Sequence, residues 1–137
     1  MPLVRISLLK GKPMEYLRAI GDSVHQALID AYKIPADDRF QLIHQHDPEE
    51  FIFDADYLGI HRSPDVVFIH LVAGNWRDTG TKMALYKAIA DRLSLSPGLR
   101  REDVQVVLSS NARDEWSFGN GVASYMKPSE EDSGELA

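Results

Sequence analysis

The order strand, helix, strand occurs twice in this 137-residue chain, and that repetition limits its possible folds more than any other feature. Residues Leu3 to Leu9 alternate loosely, with β-branched members, and read as a strand. Gly11 breaks it, and Pro13 suits the first turn of a helix, where its missing N–H costs nothing. Met14, Leu17, Ile20, Val24, Leu28 and Ala31 then recur at helical spacing, which predicts one buried face. Pro35 ends that helix, since Ile34 before it is biased away from helical dihedrals. Phe40, Leu42 and His44 alternate with Gln41, Ile43 and Gln45 as a second strand, and Phe51-Ile52-Phe53 predicts a short extra one.

The second half repeats the order. Val66 to Val72 is a near-continuous apolar run, as a central strand requires, and Gly74 breaks it. Asp78 or Thr79 can cap a helix whose buried stripe is Met83, Tyr86, Ala90 and Leu93, widened by Leu85 and Ile89. Pro97 and Gly98 close it, Val104 to Leu108 is the last strand, and Gly119-Asn120-Gly121 signals a hairpin. The expected class is therefore α+β: tandem β-α-β units forming a four-stranded sheet with both helices on one face, and parallel strands within each unit. The strands carry apolar residues on both sides, and two helices cover only one face. A homo-oligomer that packs sheet against sheet is the simple way to cover the other.

The length suits one domain, expected over 2–127, and it suffices for a real core. The chain has no cysteine, so disulfides and thiolate chemistry are excluded. Arg5, Lys10 and Lys12 interrupt the start, which does not read as a signal peptide, and no run is long enough to span a bilayer. A cytoplasmic location and no membrane partner are expected. Glu130, Glu131, Asp132 and Glu135 make 128–137 an acidic tail, expected to be disordered. No basic stripe interleaved with aromatics is present, which argues against nucleic acid as a partner.

Several strings lie in order along almost the whole chain: Met1-Pro2-Leu3-Val4, Pro35-Ala36-Asp37-Asp38-Arg39-Phe40, Gln45-His46, Tyr86-Lys87 and Glu115-Trp116-Ser117-Phe118-Gly119. With the paired halves, they resemble the tautomerase superfamily, and within it the malonate semialdehyde decarboxylase group. The resemblance implies a homotrimer of β-α-β-β-α-β subunits, with an amino-terminal proline in a pocket acting as general base or acid. It implies no metal and no organic cofactor. It also implies that arginine binds a substrate carboxylate, that Asp38 assists in decarboxylase and hydratase branches, and that Trp116 or Phe118 supplies an apolar wall.

The residues can be read chemically beside that resemblance. Once Met1 is removed, Pro2 is a secondary amine without amide resonance. An apolar pocket and a nearby arginine disfavour its charge, which suits abstraction of a proton next to a carbonyl. Its plain alternative is an uninformative Met-Pro start. Arg77, in the loop after the central strand, can hold a carboxylate through two parallel hydrogen bonds beside helix N–H groups. It matches the second of two arginines in the decarboxylase motif. The first falls in Ala73-Gly74-Asn75, where no arginine stands, and Trp76 lengthens the loop. Asp38 is either a site carboxylate or a turn residue. Trp116 and Phe118 are either pocket walls or packing aromatics. His44 and His46 share one side of a strand, but strand histidines two apart are more often ordinary residues than metal ligands, and no metal site is assigned.

The leading expectation is a cofactor-independent tautomerase for a small keto or enol carboxylic acid, with Pro2 and Arg77 catalytic and Trp116 and Phe118 binding substrate. A decarboxylase or hydratase of the malonate semialdehyde type, using Asp38, is one alternative. A non-catalytic binding or assembly protein on the same fold is another.

Overall fold

A computed structural model describes residues 2–126 of the chain; the acidic tail expected at 128–137 lies outside them. Strands β1 (Leu3–Leu9), β2 (Phe40–His46), β3 (Val67–Gly74) and β4 (Val104–Asn111) form one sheet in the order β2-β1-β3-β4. β1 and β2 are parallel, as are β3 and β4, so each half is the expected β-α-β unit. The halves join through an antiparallel pairing of β1 with β3, in which Leu3 faces Val72. The starts of β1 and β2 therefore share one sheet edge with the ends of β3 and β4.

Helices α1 (Met14–Tyr32) and α2 (Thr79–Leu95) lie on one face. Val4, Ile6 and Leu8 of β1 and Val67, Ile69 and Leu71 of β3 point into the core against Leu17, Ile20, Val24 and Leu28 of α1. The period of two along the strands meets the 3.6 period of the helices there. The other sheet face is mixed: Phe40, Leu42 and Val107 are exposed beside Arg5, His44 and His70. No described helix is long and apolar enough to cross a membrane.

Several expected details differ. Pro13 stands just outside α1 as its N-cap, and Met14 is exposed, at the wrong angle for the stripe. The core stripe of α2 is Leu85, Ile89 and Leu93. These are four apart and stack on one face, whereas Met83 and Tyr86 project to solvent, Met83 at 64% exposure. Phe51-Ile52-Phe53 is not a strand. Phe51 and Phe53 instead pack their rings on Phe68, with Ile52 turned outward. Gly119-Asn120-Gly121 does turn, with Asn120 and Gly121 at φ 61 and 68, but no strands flank it. That loop is closed by Ser124 N–H donating to the Trp116 carbonyl and Phe118 N–H donating to Ser124 Oγ.

Candidate active site

Pro2 is buried and lies immediately before β1. Its position is set by pairing: Leu3, the next residue, faces Phe40 on one side and Val72 on the other. Asp38 and Arg39 thus arrive beside it from the α1–β2 connection, and Ala73 and Gly74 from the end of β3. Asp38 is half-buried, and its backbone N–H donates to the Pro35 carbonyl, which closes a turn before β2. The turn is also tied to α1 by the buried His25, whose Nε2 lies 2.8 Å from the Ala36 carbonyl oxygen.

Two small hollows open at this edge. One of 230 Å³ is lined by Leu3, Phe40, Trp116, Ser117 and Phe118. The other, of 380 Å³, is lined by Asp37, Asp38, Phe40, Phe118, Ser124 and Tyr125. Phe40 and Phe118 are common to both, so Phe118 stands between the Leu3 side and the Asp38 side. Trp116 is fixed by its indole N–H, which donates to Asn111 Oδ1 at 2.7 Å at the end of β4, and it stacks on Phe118. A roomier hollow of 420 Å³ lies away from this edge, between α1 and β2. Its Arg39 is already paired with Asp22, so the Pro2 edge is the better candidate.

Arg77 does not line either hollow. An aromatic bridge connects it to them: Phe118 meets Tyr125, Tyr125 meets Trp76, and the Arg77 guanidinium lies over Trp76 and over Tyr32 at the end of α1. Gly74 makes this possible, because a Cβ there would collide with the Trp76 ring. Burial pushes Arg77 below its ordinary value; Tyr32 and Tyr125 oppose that, and the positive charge of Arg113 adds to it. Burial in turn raises the Tyr32 and Tyr125 hydroxyls. Arg77 Nη1 is buried without a hydrogen-bond partner among the described residues. A buried donor left open is costly, and an anion would satisfy it.

Asp38 thus lines one of two adjacent hollows, Trp116 the other and Phe118 both; Pro2 precedes Leu3 at their edge without lining either, and Arg77 lies beyond Tyr125 and Trp76. Sequence reasoning placed Trp76 in the loop of Arg77 but missed Tyr32, Tyr125 and Arg113 as neighbours of Arg77. For Arg113 the one available signal is its place three residues before Trp116. His44 and His46 do not converge: His44 lies 3.2 Å from Arg5 Nη1, and His46 stacks on Phe51.

Comparison with known proteins shows the family of the chain. Two family models, each described as a tautomerase enzyme, match residues 38–119 and 2–61. The chain is 38% identical to the probable tautomerase YusQ of Bacillus subtilis, over 93% of this chain and 100% of that protein. A malonate semialdehyde decarboxylase solved in wild-type, mutant and inactivated forms is 32% identical, with a TM-score of 0.86 over 90% of this chain and 95% of that one. A second malonate semialdehyde decarboxylase, inhibited by 3-bromopropiolate, is 41% identical, with a TM-score of 0.84 over 90% of this chain and 93% of that one.

Proposed function

The chain is an enzyme that belongs to the tautomerase family, and from that premise we propose that it interconverts the keto and enol forms of a small 2-oxo carboxylic acid, without a cofactor, through the amine of Pro2. The observation that supports this reading is proximity: Pro2 is buried at the sheet edge next to Leu3, which lines one of two adjacent hollows whose walls include Asp38, Trp116 and Phe118, and Arg77 Nη1 is a buried donor left open among the described residues, behind Tyr125 and Trp76.

In this reading the Pro2 nitrogen, freed by removal of Met1, takes the proton from the carbon next to the carbonyl while the oxygen gains one from water; in ketonisation the enol O–H proton goes to water and Pro2 delivers a proton to the carbon. Arg77 holds the carboxylate and draws off the negative charge that develops on the enolate. Trp116 and Phe118 exclude water, which lowers the pKa of the amine and leaves it uncharged at working pH. Pro2→Ala is expected to lower ketonisation of phenylenolpyruvate by at least about a hundredfold, the usual weight of a positioned general base. Full activity in that variant would sink the proposal.

A decarboxylase is the second reading, favoured by the two malonate semialdehyde decarboxylases above and by Asp38 on the wall of the larger hollow. Release of carbon dioxide from malonate semialdehyde, lost in Asp38→Asn, would favour it over the first. We further propose that the mixed sheet face is covered in a homotrimer, and that the protein works in the cytoplasm, with neither nucleic acid nor membrane as a partner.

A further inference from the structure

Arg77 is not the only cation at its ring. The Arg113 guanidinium lies 4.1 Å from the centroid of Trp76, and that of Arg77 lies 5.0 Å from the same centroid. Arg113 comes from a different element, the single 3-10 turn Arg113–Glu115 after β4. That turn is held in place by Glu115, whose side chain accepts the Ala112 N–H at 2.8 Å, and by the Trp116 indole bonded to Asn111. Tyr125 feels the charge of both guanidiniums.

No carboxylate of the described residues forms an ion pair with either arginine. Three other arginines do have carboxylate partners: Arg39 with Asp22, Arg92 with Asp30, and Arg101 with Asp91. Two like charges brought to one ring without a counter-charge repel each other, and one of them keeps a buried donor open. An anion placed between them removes both penalties.

We propose that Arg113 is a second carboxylate-binding residue of this enzyme, closing with Arg77 on the same substrate carboxylate beside Trp76. It supplies from the β4 side the cation that Ala73-Gly74-Asn75 does not supply from the β3 side. Trp76 is then the spacer that sets the distance between the two guanidiniums, and Gly74 the residue that lets the spacer lie flat on the strand end. The ligand class is a monocarboxylate with an apolar remainder, since the charge is gathered at one end and rings line the rest. This inference rests on the proposed keto–enol activity for its substrate, but its anion site can be tested apart from turnover.

The experiment measures calorimetric binding of phenylpyruvate, and KM and kcat with phenylenolpyruvate, for Arg113→Lys, Arg113→Gln and Arg113→Met. The Gln and Met variants keep a stem over Trp76 and drop the charge. They are expected to weaken binding about tenfold, the usual weight of one hydrogen bond to a charged group on a part-exposed site, with the loss falling on KM more than on kcat. Arg113→Lys should recover part of it. The same titration repeated in Pro2→Ala separates the two claims. If Pro2→Ala remains fully active, the proposed activity fails, while tenfold weaker binding in Arg113→Gln still supports the anion site. Binding unchanged in both Arg113→Gln and Arg113→Met overturns it.

Discussion

At the residue scale, two residues outside the reaction have structural roles that mutation should expose. Asp103 is 1% exposed, and its carboxylate accepts the Ser63 N–H at 2.6 Å and the Ser63 hydroxyl at 2.7 Å. This holds the connection before β3 against the start of β4. Asp103→Ala leaves the part-buried Ser63 donors without this acceptor and is expected to destabilise the fold by about 1–3 kcal/mol, measured by urea denaturation. Asp103→Asn, which retains one acceptor oxygen, should cost less. Gly74 is different in kind. In Gly74→Ala the new methyl displaces the Trp76 ring, and overpacking of this sort costs about 1–3 kcal/mol. The expected signature is a shifted tryptophan emission with weakened binding of a 2-oxo acid; unchanged emission and binding would contradict the account of Trp76 as a spacer. Neither contact is legible in the sequence, since Ser63 and Asp103 are distant in the chain and Gly74 reads there only as a strand breaker.

At the element scale, α2 begins on Asp78, whose Oδ1 accepts the Thr81 N–H at 2.8 Å. That bond holds the Asp78 carboxyl below its ordinary value. The stability this adds is therefore complete above the unfolded Asp value of about 3.8 and is lost as pH falls through the lower folded value. Asp78→Ala should lower Tm at neutral pH, and the gap to the parent protein should close in acid. A gap that persists at pH 2, below the ordinary carboxylate range, would count against the cap as its cause. Capping of this kind is local, and the sequence offers it directly as Asp78 or Thr79. Strand and helix positions are likewise readable, because hydrophobic period is a local property. The face of α2 is less so: Met83, Leu85, Tyr86 and Ile89 are all apolar or aromatic, and only contact with the sheet selects Leu85 and Ile89. Phe51 and Phe53 have strand composition but pack through their rings on Phe68, on the sheet face away from the helices, which no local pattern reports.

At the scale of the whole molecule, the repeat predicts two β-α-β units, but not that they meet antiparallel through β1 and β3. That junction brings the start of β1 to the ends of β3 and β4, and so brings the candidate site residues together from distant parts of the sequence. Pro2, Asp38, Arg77, Trp116 and Phe118 could be named from strings and chemistry; the aromatic bridge and Arg113 required the packed loops. The open sheet face bears on assembly. Phe40, Leu42 and Val107 are 47%, 43% and 52% exposed on it, an apolar area that a second and third copy would cover. Light scattering should give three times the chain mass of 15.4 kDa, and Val107→Glu should reduce it. A single-chain mass for the parent protein would contradict the trimer.

The central claim concerns the amine of Pro2, and hydrogen exchange at carbon reads it most directly. Phenylpyruvate is incubated in deuterium oxide with the protein, and loss of the C3 proton signal is followed by NMR. The account predicts enzyme-dependent exchange by protein whose intact mass shows Met1 removed, rising with pH as the amine loses its proton, and its collapse in Pro2→Ala and in protein that keeps Met1. Exchange at the same rate in protein that keeps Met1 would contradict it.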